Sequence, residues 1–308
     1  MQTILGAGGV IGNELARALR DYNTNIRLVS RNPQKVDDDN ELFTADLLNK
    51  EEVNKAVKGS EVVYLTAGME YKKEVWKDKW PKVIRNVLDA CIAYNAKLVF
   101  FDNIYMYDKN SIGFMTEDNP VKPPSEKGKV RALLNKMIFD EVEKGTVKAL
   151  IARCADYYGP GVINTSMLWQ TVIKPLKEKK TANWMGYSRF KHSFTFTPDA
   201  GKATALLGNT DDAYNQVWHL PTAKNPLTGK EWVEAFAQKL NSKPKFMQAP
   251  KLVVRILSLF IPIMKEMIEM VYQYDRDYVF DSSKFEKRFG VKPTSYEDGI
   301  QIVVDSLN

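Results

Sequence analysis

A glycine-rich turn set between two short apolar runs constrains what this chain can become. Met1-Gln-Thr-Ile-Leu5 reads as a strand and Gly6-Ala-Gly-Gly-Val-Ile-Gly12 as a turn. Asn13 to Arg20 reads as a helix with Leu15, Ala18 and Leu19 inward, and Asn25 to Ser30 as a second strand. Strand, turn, helix and strand at this spacing make a βαβ unit, which belongs in a parallel sheet. The turn falls where a dinucleotide pyrophosphate sits. Without a Cβ, Gly6 permits the tight turn, Gly9 lets the backbone approach phosphates, and Gly12 lets the helix pack close to the sheet. Gly6, Gly8, Gly9, Val10, Ile11 and Gly12 are therefore expected to hold the dinucleotide, with free N–H groups at the helix start facing its pyrophosphate.

The end of the second strand bears on which dinucleotide. An NAD site usually carries an acid there for the ribose 2′-hydroxyl, whereas this chain has Ser30 and Arg31, which suit a 2′-phosphate. The expected cofactor is NADP, with NAD less favoured. Further on, Leu42 to Ala45, Ser60 to Gly68 and Lys97 to Phe101 read as strands, and Asn49 to Lys58 and about Trp80 to Tyr94 as helices. Alternation of this kind gives a parallel sheet covered on both faces, with ligands at the carboxyl ends of its strands.

Charge and rare residues exclude several function classes. The net charge of +6 comes from lysines spread along the chain, so no nucleic-acid partner is expected. Two cysteines and two histidines, well separated, give no metal cluster and no disulfide framework. The most apolar segment, Leu252 to Tyr274, is broken by Arg255, Lys265, Glu266 and Glu269 and reads as an amphipathic helix pair around Pro262 rather than a span. No membrane partner, no signal peptide and a cytoplasmic location are the expectation.

Several motifs together resemble one family. They are the glycine turn, Asp46-Leu47, Thr66-Ala67-Gly68, Phe101-Asp-Asn-Ile-Tyr-Met-Tyr107, Arg153-Cys-Ala-Asp-Tyr-Tyr-Gly-Pro-Gly161, Phe194 to Ala200, Asp281-Ser-Ser-Lys284 and Gly290-Val-Lys-Pro293. The chain is thereby similar to the extended short-chain dehydrogenase/reductases, the NAD-dependent epimerase/dehydratase family. The resemblance implies an α/β fold: a Rossmann-like doubly wound parallel sheet with a small, mostly helical C-terminal substrate lobe. It implies a dinucleotide-binding domain over 1–161 and 189–219, and a lobe with C-terminal elements over 162–188 and 220–308. Within it, Asp46 and Leu47 would hold the adenine, Thr66, Ala67 and Gly68 would line the cofactor groove, and Asp156 and Tyr157 would lie at the nicotinamide end. Asn164 to Lys180 reads as a helix, and the basic run Lys174 to Lys180 with Trp184 and His192 is where such enzymes grip a substrate. The resemblance also implies a homodimer, formed through the helix that carries Val130, Leu133, Leu134, Met137, Ile138 and Val142 and the helix before it.

The family's redox chemistry normally rests on Tyr-x-x-x-Lys and a Ser or Thr. Here Lys127 stands in the Tyr place, Arg131 in the Lys place and Asn103 in the Ser/Thr place. An unperturbed Lys has a pKa of about 10.4 and Arg does not deprotonate in proteins, so the usual proton carrier is missing. Tyr105 matches the position of the dehydratases' acid/base residue, and Lys127 and Arg131 would lower its pKa. The expected reaction is hydride transfer at a carbonyl or hydroxyl carbon of a sugar-like or other small substrate, with Tyr105, Lys127, Asn103 and Arg131 as catalytic residues. The alternative is a dinucleotide-binding redox sensor or scaffold without catalysis.

Overall fold

The computed structural model describes residues 1–22, 25–163 and 165–307. Seven strands form one sheet: β1 (Gln2–Leu5), β2 (Ile26–Ser30), β3 (Glu41–Thr44), β4 (Val62–Leu65), β5 (Lys97–Asp102), β6 (Ala149–Arg153) and β7 (Val217–His219). Their order is β7-β6-β5-β4-β1-β2-β3, and every neighbouring pair is parallel. Helices α1 (Val10–Leu19), α2 (Lys50–Val57), α3 (Lys73–Tyr94), α4 (Glu126–Glu143) and α5 (Thr197–Gly208) make the crossovers and flank the sheet. β1 and β4 are buried along their whole length, as continuous apolar strands covered on both faces must be. This is the doubly wound Rossmann-like sheet, and its order reverses between β1 and β4. Ligands of such sheets bind at the carboxyl ends beside that reversal.

Two helix starts and one helix face differ from the sequence reading. Helix α1 begins at Val10 rather than Asn13, so Gly12 lies in its first turn. Helix α3 begins at Lys73 rather than near Trp80 and carries Pro81 inside it. A mid-helix proline costs about 3 kcal/mol. Trp76 and Trp80, four residues apart, are both buried. At roughly 25 cal/mol per Å² over an indole's apolar area, each contributes about 4–6 kcal/mol, so their burial carries the helix through the proline. In α4 the stripe splits: Val130, Leu134 and Ile138 are buried, but Leu133 is exposed. A second buried row is polar, Lys127, Arg131 and Asn135, at steps of four.

By its packing the chain divides into two compact units. One comprises 1–106, 127–154 and 198–220, and the other comprises 107–126, 155–197 and the residues from Pro221 onward. These limits differ from the expected ones, since 107–126, 155–161 and 189–197 pack with the second unit. That unit holds two parallel strand pairs, Asp156–Tyr158 with Phe194–Phe196 and Ala182–Met185 with Phe246–Ala249. Trp232 anchors its core, with ring centroids 5.0 Å from Phe194, 4.9 Å from Tyr296 and 5.3 Å from Tyr158. Of the expected helix 164–180, Asn164 lies outside the described residues. The rest includes a wide π-helical stretch, Trp169–Ile173, running into Lys174–Lys177. The expected pair around Pro262 is present as Lys251–Leu257 and Pro262–Met267.

Candidate functional site

The glycine turn links β1 to α1, and each of its glycines has a different reason to lack a side chain. Gly6 has φ +98°, and a Cβ there would stand 2.4 Å from the Ala67 backbone N and Cα. The end of β1 thus presses directly on the end of β4. A Cβ on Gly12 would come within 3.2 Å of Thr66 Oγ1 and 3.3 Å of Gly6 O, which lets α1 lie close to the sheet. Gly8, with φ +94°, would meet nothing within 4 Å. Gly9 caps α1 without a side-chain bond. The first helical bond is Asn13 N–H to Gly9 O at 2.9 Å, so the N–H groups of Val10, Ile11 and Gly12 come ahead of the helix's own hydrogen bonding. An open backbone beside three donors at the positive end of a helix is suited to a phosphate anion. The turn therefore fits a dinucleotide.

The other expected cofactor residues follow the strand ends of the same parallel sheet. Ser30 ends β2, and Arg31 after it is exposed, with no ion-pair partner among the described residues. Asp46 is exposed, and its Oδ1 accepts the Leu48 N–H at 3.0 Å. Leu47 is half-buried, with its carbonyl accepting Asn86 Nδ2 at 3.0 Å. Thr66 donates its N–H to Leu5 O at 2.9 Å, and Ala67 and Gly68 continue past β4.

Beyond β5 lies an aromatic and cationic cluster. Asn103 Oδ1 accepts the Tyr105 N–H at 3.0 Å and so holds the turn that presents Tyr105. The Tyr105 ring stacks on Trp76 at 6.2 Å and 16°. Trp76 in turn donates its indole N–H to Glu70 O at 3.1 Å. The Tyr105 hydroxyl is 3.4 Å from that of Tyr71, a long hydrogen bond. Lys127, fully buried, sets its Nζ 4.6 Å from the centre of the Tyr71 ring. Tyr105 and Lys127 are thus brought together through Tyr71, which the sequence reading missed. The usable signal was its place just after β4: loops following adjacent parallel strands emerge at one edge.

Arg131, which stands in the place of the family's Lys, is buried. Its guanidinium is buried over Trp76 and Trp80, at 4.7 and 4.3 Å, with Nη1 3.5 Å from Asp102 Oδ1. Burial pulls its pKa below the ordinary value, against the opposing pull of Asp102. Asp102, with no side-chain exposure, also lies 3.6 Å from Arg153 and accepts Asn135 Nδ2 at 2.7 Å. Arg131 therefore belongs to a buried charge network beneath the aromatic cluster.

In the second unit, Asp156 is engaged by its own neighbours. Its Oδ2 accepts the Tyr274 hydroxyl at 2.8 Å and lies 3.0 Å from His192 Nε2. The His192 ring is sandwiched between Tyr274 and Tyr278, at 4.4 and 4.2 Å. Tyr157, next along, is half-buried. Trp184 is buried edge-on against His192 at 6.2 Å, so its faces belong to the core. Of the basic run, Lys179 binds Leu240 O and Asn241 O, and Lys177 binds Leu307 O.

Residues 3–218, more than half of the chain, match the model of the NAD-dependent epimerase/dehydratase family. The chain belongs to that family. Solved structures of similar fold extend along nearly the whole of it. A dTDP-glucose 4,6-dehydratase from Streptomyces venezuelae with NAD bound superposes with a TM-score of 0.81 at 16% identity, covering 99% of this chain and 96% of that one. A UDP-glucose 4-epimerase from Thermus thermophilus in complex with NAD gives 0.79 at 18% identity, covering 99% and 98%. The UDP-glucose 4-epimerase from Thermotoga maritima with UDP-glucose gives 0.80 at 16% identity, covering 100% and 98%. No curated protein sequence matches this family member.

Proposed function

We propose that this epimerase/dehydratase family member binds a nicotinamide dinucleotide at the glycine turn, NADP(H) in preference to NAD(H), and works on a carbonyl or hydroxyl carbon of a sugar-like substrate. The observation that carries the reading is the Gly6 to Gly12 cradle at the strand-order reversal, with Arg31 exposed one strand away. The NAD and UDP-glucose in the similar structures support the ligand classes. When bound, the nicotinamide supplies the hydride donor or acceptor. The chain's own part is to hold the pyrophosphate on the N–H groups of Val10, Ile11 and Gly12, and to move a proton at the substrate oxygen.

Tyr105 gives or takes that proton. The Tyr71 hydroxyl donates to the Tyr105 oxygen at 3.4 Å and so supports the phenolate left when Tyr105 gives its proton, with Lys127 Nζ standing over the Tyr71 ring. Asn103 aims Tyr105 from below, and Arg131 acts as a positioning residue by packing on Trp76, the ring Tyr105 stacks against. The second reading, a dinucleotide-binding sensor, is favoured by the absence of Tyr-x-x-x-Lys from the start of α4 and by the burial of Lys127 and Arg131, which stand in its place.

Two measurements test these assignments. Titrating the protein with NADPH and with NADH, read by energy transfer from tryptophan, should show tighter NADPH binding. Arg31→Ala should weaken NADPH roughly tenfold or more through loss of charge-assisted bonds to the 2′-phosphate, leaving NADH unchanged. Equal affinities would remove Arg31 from the site, and binding of neither dinucleotide would remove the site itself. With a carbonyl substrate found by nicotinamide absorbance, Tyr105→Phe should lower kcat between about a hundredfold and ten thousandfold with dinucleotide affinity unchanged. Unaltered turnover would dismiss Tyr105, and no absorbance change across a broad panel would favour the sensor.

A further inference from the structure

The helix pair Lys251–Leu257 and Pro262–Met267 presents an apolar tip that the rest of its unit does not cover. Leu259 and Phe260, in the link between the two helices, are 75% and 78% exposed. Leu252, Ile256, Ile261 and Ile263 flank them and are exposed as well. Single exposed apolar residues are ordinary, but a contiguous group marks an interaction surface.

The charges around the tip are mostly of one sign, with Glu266 at its far end the first acidic residue. From residue 235 to 265 there is no acidic residue. Lys243, Lys245, Lys251, Arg255 and Lys265 are all exposed and form no ion pair among the described residues. The N–H groups of residues 258–261 are bonded within the tip. Ser258 N–H donates to Val254 O, Leu259 N–H to Ile256 O, and both Phe260 and Ile261 N–H to Leu257 O, at 2.8–3.1 Å. Residue 262 is a proline with no N–H to satisfy. A turn whose amides are already bonded enters a hydrocarbon medium without the cost of orphaned donors.

We propose that this tip docks the protein on an anionic lipid bilayer, lying in the interface with Leu259 and Phe260 inserted and the five cations against the headgroups. Among the described residues no helix is long and apolar enough to cross a membrane, so the contact is with one leaflet surface. A second copy is the poorer occupant. Pairing one patch with itself about a two-fold axis would face five unpaired cations with the same five. The expectation of no membrane partner was drawn from charges that interrupt a span, and two of them, Arg255 and Lys265, suit an interfacial helix on an anionic surface.

The test is co-sedimentation of the full chain with vesicles of phosphatidylcholine alone and of phosphatidylcholine with phosphatidylserine. The chain should sediment with the anionic vesicles, far less with the neutral ones, and less again in high salt, which screens headgroup attraction. Leu259→Ser with Phe260→Ser should reduce partitioning tenfold or more, on the order expected for losing two buried apolar side chains. Lys251→Glu, Arg255→Glu and Lys265→Glu together should abolish it. All five residues are exposed, and unchanged thermal unfolding would show that the variants fold. Failure to sediment with anionic vesicles, or sedimentation indifferent to both sets of changes, overturns the proposal. So does a self-association that the Phe260 variant abolishes in place of vesicle binding, which would give the surface to a second copy.

Discussion

Gly6→Ala is expected to destabilise the protein by about 3 kcal/mol or more and to abolish dinucleotide binding. Two costs add. A φ of +98° is strained for any residue with a Cβ, by about 1–2 kcal/mol. The new methyl would also lie 2.4 Å from the Ala67 backbone, which cannot rotate away as a side chain could. Either β1 and β4 separate, or the turn is rebuilt, at an overpacking cost of about 1–3 kcal/mol. Gly8→Ala is the control, because its φ is similarly positive but its Cβ would meet open space. Chemical denaturation of the two variants should therefore differ by the packing component alone. Equal losses would show that the contact between Gly6 and Ala67 is not tight.

Asp102→Ala is expected to cost about 3–5 kcal/mol. Its carboxylate has no exposure and stands between the buried guanidinium groups of Arg131 and Arg153, with Asn135 bonded to the same oxygen that faces Arg153. Removing it leaves two cations in a low-dielectric interior without their counter-charge, the most damaging way to break a buried pair. Adding Arg131→Met should recover part of the loss, since it removes one stranded charge while preserving most of the apolar contact with Trp76 and Trp80. If the double variant unfolds as easily as the sum of the two single changes predicts, the residues are not coupled as the geometry requires.

What could be read from the sequence depended on how local each signal was. The turn from Gly6 to Gly12 was legible because a glycine reports on its own backbone, and the structure places positive φ or close packing at Gly6, Gly8 and Gly12. The start of α3 was not legible, because Pro81 is a strong local stop that only the burial of Trp76 and Trp80 overrides. Tyr71 was missed for another reason. Its meeting with Tyr105 depends on two loops that follow adjacent strands, 34 residues apart in sequence. Arg131 was read from a motif position, and nothing in that position says that Asp102, at the end of β5, lies close enough to engage it. Around Pro262 the helix pair was legible from its periodicity, but periodicity names an apolar face without saying what covers it.

The polar row of α4 sets the angular phase of that helix. Lys127 reaches Tyr71, Arg131 reaches Asp102, and Asn135 ties Asp102 to Arg153, so one helix meets three fixed partners at steps of four residues. Each residue along a helix turns it by about 100°. A single insertion or deletion between Lys127 and Asn135 would swing one end of the row to a different bearing while the other stayed engaged. Helix α4 thus behaves as a keyed shaft, whose chemistry can vary residue by residue but whose length between those keys is locked.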